Sequence, residues 1–170
     1  MRTIRTTMIS RPLDIRTQEG PRCSAYAASC LLRYLGKDCD PKKLYDRFGR
    51  LPEGSALPDS VGKVIGAKLK SRGIIEDLEA MIDKDMPVLV LCFYDESPGW
   101  NNLHYLLVTG YDEDNIYLAD SLHASGRRQY NRIVSRETFL RMWDTSRCLP
   151  VRMIYGNNIY YEMGDLSDAE

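Results

Sequence analysis

Four side chains in this 170-residue sequence could together carry out nucleophilic chemistry: Gln18, Cys23, His104 and Asp120. Cys23 follows the turn-forming run Gln18-Glu19-Gly20-Pro21-Arg22 and opens an apolar stretch that reaches Gly36. A loop thus delivers the thiol to the first turn of a helix, where Pro21 is well suited and an all-round apolar surface signals burial. The unpaired N–H groups and macrodipole of such a turn stabilise an anion, and the thiolate is the nucleophilic form of cysteine. His104 opens one predicted strand and Asp120, sixteen residues later, closes the next. If the two strands pair antiparallel, the start of one lies beside the end of the other. A carboxylate against an imidazole fixes its tautomer and supports the imidazolium. The expected roles follow. Cys23 attacks an acyl carbon, His104 takes the thiol proton and returns it to the leaving group, and Asp120 orients His104. Gln18 donates its amide to the oxyanion together with the backbone N–H of Cys23. This is acyl transfer through a thioester, and it requires neither a metal nor an organic cofactor.

The remaining polar residues near these positions take lesser parts. His123 is the competing base, but it sits in a loop with Ala124, Ser125 and Gly126 and reads as a surface or substrate-side residue. Trp100 and Asn101, just before His104, and Ser24, just after Cys23, are the expected substrate contacts. Tyr105, Tyr111 and Tyr117 read as sheet packing.

The elements that must position these groups are legible along the chain. Residues 1–17 form an early strand or arm. The helix opened by Cys23 has Arg33 as its only charge and stops at Gly36. Asp40-Pro41 starts a short helix through Leu44, Tyr45 and Phe48. Val61, Val64, Ile65 and Leu69 suggest an amphipathic helix over 57–70, in which Gly62 and Gly66 permit close packing. Leu78, Met81 and Ile82 mark another helix that closes before Pro87. Val88 to Tyr94 is a continuous apolar run and predicts a buried strand. His104–Tyr111 and Ile116–Asp120 make a hairpin across a short polar turn. Gln129–Val134 gives a fourth strand, Ser135 caps a helix through Phe139, Leu140 and Trp143, and Val151–Tyr155 and Ile159–Glu162 close the sheet. Helices first and an antiparallel sheet second indicate an α+β single domain over 1–170, with its core at about 12–162.

Bulk composition narrows the partners. A chain that is 44% hydrophobic and 28% charged is globular, and one of this size buries roughly 70% of its unfolded surface. A formal net charge of −1 argues against broad electrostatic capture of nucleic acid or an anionic membrane. The ends are unevenly charged, basic at Arg2, Arg5, Arg11 and Arg16 and acidic at Glu162, Asp165, Asp168 and Glu170. The five cysteines match no zinc spacing, so no metal site is expected. Together with the lack of a signal core or spanning segment, they point to a reduced, cytoplasmic setting without membrane insertion, with export by a signal-less route left open.

Gln18…Cys23 opening a helix that ends Leu31-Leu32-Arg33-Tyr34-Leu35-Gly36 resembles the papain-like cysteine peptidases. So do Met86-Pro87-Val88-Leu89-Val90, His104 to Tyr111 and Ile116 to Ser121. More narrowly, the pattern is similar to cysteine peptidase family thirty-nine, the bacterial double-glycine peptidases that trim bacteriocin leaders, and to their looser relatives. The resemblance spans roughly residues 12 to 155. It implies a papain-like α+β fold, a central buried helix on an antiparallel sheet, and a Cys23–His104–Asp120 triad with Gln18 at the oxyanion. The chain departs from the family at Ser24-Ala25, where Gly and then a small residue or Pro is usual, and at Ser121, where Pro is frequent. The expected function is a peptidase acting on a peptide or protein substrate. A glutamine deamidase or acyltransferase on the same fold, delivered as an effector, and a catalytically silent peptide-binding module stay open as alternatives.

Overall fold

The computed structural model describes residues 5–164; residues 1–4 and 165–170, among them Arg2, Asp165, Asp168 and Glu170, lie outside the described residues, as does the Trp100 side chain. The structure is built on one antiparallel sheet with helices on both faces. In chain order the elements are β1 (Thr7–Met8), β2 (Leu13–Ile15), α1 (Cys23–Tyr34), α2 (Pro41–Arg47), α3 (Pro58–Ile65), β3 (Ala67–Lys70), α4 (Ile75–Asp83), β4 (Val88–Phe93), β5 (Leu103–Tyr111), β6 (Asn115–Ala119), β7 (Gly126–Arg128), β8 (Arg132–Ser135), α5 (Arg136–Trp143), α6 (Leu149–Ile154) and β9 (Ile159–Met163). The main sheet runs β3-β9-β4-β5-β6-β8, and β1 pairs with the far end of β5. A separate two-stranded ribbon joins β2 to β7.

The alternation along β4 explains its unbroken apolar sequence. Leu89, Leu91 and Phe93 face the core shared with α1, α2 and α3. Val88, Val90 and Cys92 face a second core filled by Ile75, Leu78 and Ile82 of α4 and Phe139, Met142 and Trp143 of α5. With both faces covered, every residue of the strand is buried. The same sandwiching buries α1 on nearly all sides. Its one charged side chain is held through its two terminal nitrogens: Arg33 donates to Ser29 Oγ, Cys39 O and Asp14 O at 2.9, 3.2 and 2.8 Å. Those bonds pin β2 and the chain beyond α1 to the helix that carries Cys23.

Three sequence expectations need correction. The helix expected over 57–70 is two elements: Gly66 adopts φ 77° and terminates α3, and Ala67–Lys70 continues as strand β3 against β9. A β-carbon on Gly62 would lie 2.9 Å from Ala67 O, so this glycine does serve the close packing expected of it. The strand expected over 151–155 is helix α6, with Pro150 in its first turn. The strand expected over 129–134 begins at Arg132 instead, and Gly126–Arg128 forms the separate strand β7, which pairs with the N-terminal β2.

Candidate active site

Cys23 is the first residue of α1, and no side chain caps that helix terminus. The residue is partly exposed, whereas Cys30, Cys92 and Cys148 are buried. Burial raises the Cys30 thiol to about 12 and drives that of Cys92 up as well. Cys23 lies where two cavities meet. One is a polar cleft lined by Gln18, Tyr94, Asn101, Asn102, His104 and Leu122 among others. The other is a narrow apolar pocket walled by Leu51, Leu57, Leu91, Leu103, Tyr105 and Ile154. Tyr105, expected to pack the sheet, does so and also lines this pocket, its hydroxyl donating to Ala56 O at 3.1 Å.

His104 and Asp120 meet as the hairpin argument requires. The β5–β6 register sets Leu107 opposite Ala119, so Asp120, the residue just after β6, comes level with Leu106, two residues from His104. His104 Nε2 lies 2.7 Å from Asp120 Oδ1, and the two side chains are 4% and 0% exposed. An ionised carboxylate only accepts, so Nε2 carries the proton of this bond and Nδ1 is left for another partner. Burial by itself would push the imidazole down. The bond to Asp120, the nearby Cys23 thiol and the charges of both groups outweigh it, raising His104 to about 9. Burial likewise works against Asp120, but His104, the Leu122 N–H and Arg132 hold its carboxyl down at about 2.

Asp120 is anchored on every side. Leu122 N–H donates to Oδ1 at 3.0 Å, Arg132 Nη1 to Oδ2 at 3.0 Å, and the Asp120 N–H to Asn131 Oδ1 at 2.8 Å. Arg132 also donates to Tyr94 O at 2.6 Å and lies 4.7 Å above the Tyr94 ring. That ring stands edge-on to His104, with centroids 5.5 Å apart. Arg132 and Tyr94 were not among the expected site residues. The available signal was an arginine opening a strand beside the strand that Asp120 closes, but β6–β8 pairing had to be known to use it.

Gln18 borders the cleft and is tied to the residue after Asp120. Its N–H donates to Ser121 O at 2.9 Å, and Ser121 Oγ donates to Gln18 Oε1 at 2.6 Å. These bonds fix which way the amide faces: one Nε2 hydrogen goes to Gly20 O at 2.8 Å, and the amide has a second to give. Asn101 is exposed and lines the cleft; Trp100 contributes backbone to the turn Trp100–Asn102 that precedes β5. His123 is set back. Its Nε2 is 3.9 Å from Asp120 Oδ2 and 3.3 Å from the Tyr94 hydroxyl. Ser24 is corrected as a substrate contact: it is 1% exposed and lines neither cavity. One step along a helix turns a side chain about 100° away from Cys23, into the core.

The Peptidase_C39 like family matches residues 12–151 of the chain. The chain belongs to that family. Solved structures share its fold across nearly their whole length. A C39-like peptidase from Bacillus anthracis superposes with a TM-score of 0.73 at 15% identity, covering 95% of this chain and 98% of that one. The peptidase domain of Streptococcus ComA, a bifunctional ABC transporter of a quorum-sensing pathway, gives 0.59 at 14% identity, covering 90% and 98%. A double-glycine-motif protease from an AMS/PCAT transporter, solved with its leader peptide, gives 0.55 at 16% identity, covering 91% and 99%. No curated protein sequence matches the chain. Family and fold together support a cysteine peptidase of papain-like α+β architecture. Among the described residues, no helix is long and apolar enough to cross a membrane.

Proposed function

We propose that the protein is a cysteine peptidase in which Cys23, His104 and Asp120 form the catalytic triad and Gln18 donates to the oxyanion. One observation carries this reading. The buried His104–Asp120 pair is 2.7 Å apart, and the partly exposed Cys23 thiol at the start of α1 lies near enough to the imidazole to help raise its pKa. His104 Nδ1 takes the thiol proton and gives a thiolate–imidazolium pair, with Asp120 holding the Nε2–H. The sulfur attacks the carbonyl carbon, and negative charge passes to the carbonyl oxygen, met by the free Nε2–H of Gln18 and the backbone N–H of Cys23. Collapse breaks the C–N bond, the imidazolium proton leaves on the amine, and a thioester remains. His104 then deprotonates a water that attacks the thioester, releasing the acid and the thiol.

The substrate class follows from the two cavities meeting at Cys23. A peptide lies in the polar cleft and places an apolar side chain in the pocket bounded by Leu57, Leu91 and Ile154. The leader peptide bound to the double-glycine-motif relative supports a peptide ligand. The test is a peptide library incubated with wild type and Cys23→Ala and read by mass spectrometry. Cleavage by the wild type alone supports the reading. Mass gains of one dalton without cleavage would replace peptidase by deamidase, and no change in any peptide would sink both.

A further inference from the structure

Arg132 shares Asp120 with His104, and nothing in the triad chemistry above uses it. Asp120 divides its two oxygens between two cationic groups: Oδ1 takes His104 Nε2 at 2.7 Å and Oδ2 takes Arg132 Nη1 at 3.0 Å. Arg132 is itself fixed. Its side chain is 13% exposed, its Nη2 donates to Tyr94 O, and its guanidinium stacks on the Tyr94 ring. A fully buried carboxylate facing an imidazole alone would hold the imidazolium very tightly, because the two charges would have no other partner in a low-dielectric surround. A histidine held that way is a poor base for the water that attacks a thioester.

We propose that Arg132 is a positioning residue that sets the basicity of His104: by taking half of the Asp120 charge, it keeps the imidazolium from being over-stabilised. The inference rests on the reading of His104 as the catalytic base. The groups that bear on His104 are few. From the strand side they are Asp120, with His123 3.9 Å from its second oxygen and Arg132 beyond. Cys23 approaches from α1, the Tyr94 ring stands against it at the end of β4, and Cys92 lies opposite it in the sheet register. Arg132 is the cation in this set that is charged at every working pH.

The experiment follows the His104 ring by NMR through a pH titration of the full chain, in wild type, Arg132→Met and Arg132→Lys, with folding checked by circular dichroism. Removing the cation should move the His104 midpoint up by about half a pH unit or more, roughly threefold in proton affinity. Arg132→Lys, which keeps the charge, should stay near wild type. Arg132→Gln keeps a donor for Oδ2 without the charge, should behave as Arg132→Met, and serves where that variant does not fold. A midpoint that stays put or falls in the neutral variants overturns the inference. Alkylation of Cys23 by iodoacetamide across pH, run in parallel, addresses the reading beneath it. If wild-type Cys23 reacts no faster than Cys39, the triad reading fails, while the ring titration still decides whether Arg132 controls His104.

Discussion

The two walls of the cleft are held in opposite ways. On the strand wall, His104 and Asp120 are almost completely buried, and Asp120 alone accepts from an imidazole, a backbone N–H and a guanidinium. On the helix wall, Cys23 and Gln18 are partly exposed, the terminus of α1 has no side-chain cap, and the Gln18 amide depends on one serine hydroxyl and one carbonyl. The first wall is built for fixed geometry and charge. The second leaves Cys23 and Gln18 open to a ligand. Changes on the strand wall should therefore cost stability and activity together, and changes on the helix wall should cost activity alone.

Cys23→Ala tests this most sharply. It removes the proposed nucleophile, so cleavage in the peptide assay should fall by at least about a thousandfold, while the thermal midpoint stays within a degree or two. A large loss of stability would show that the helix wall is as structural as the other. On the strand wall, Asp120→Asn should lower kcat/KM by about 10³-fold, because an amide cannot support the imidazolium. It should also destabilise the fold by about 3 kcal/mol, since it strands Arg132 beside a neutral group. Denaturant unfolding gives the second figure independently of any substrate. Gln18→Ala returns to the helix wall: about 10²-fold in kcat, little in KM, and about 1 kcal/mol or less in unfolding, from the Ser121 hydroxyl that loses its acceptor.

Stability against pH separates the walls again. His104 titrates near 9 in the folded chain against 6.5 ordinarily. A group raised by folding stabilises fully below its unfolded value, and that contribution is lost as pH climbs through the folded one. The wild type should therefore lose up to a few kcal/mol between about pH 6.5 and 9, read as a falling urea midpoint. Asp120, lowered from 3.8 to about 2, belongs to the same ion pair and protects at the other end, its share being lost as pH falls from about 3.8 through about 2. In Asp120→Asn the decline between pH 6.5 and 8.5 should flatten. A decline unchanged in that variant would mean that the strand wall is not the source of the pH dependence.

The sequence was most informative where one element decides the outcome. The helix opened by Cys23, the buried strand at 88–93 and the hairpin that joins His104 to Asp120 all rest on local periodicity and one short turn. It was least informative where a distant partner decides. Ala67–Lys70 is a strand because β9 lies beside it, and a four-residue segment after Gly66 carries too little pattern to show that. Val151–Ile154 is rich in strand formers, yet Pro150 and packing against the apolar pocket favour a helix there. Arg132 and Ser121 act through β6–β8 pairing and through a bond spanning 103 residues, neither of which has a sequence signature.

Ser24 gives the smallest expected effect and the cleanest check on where the helix wall ends. Adjacent to Cys23 in sequence, it reads as a substrate contact, but its hydroxyl is buried and finds no partner among the described residues. A buried hydroxyl without a hydrogen bond costs about 1–3 kcal/mol of desolvation, and alanine fits the same space with better helix propensity. Ser24→Ala should therefore leave kcat and KM within about twofold of wild type and raise stability by up to about 1 kcal/mol. If the substitution instead raises KM several-fold at unchanged stability, the hydroxyl reaches the substrate and the helix wall extends one residue beyond Cys23.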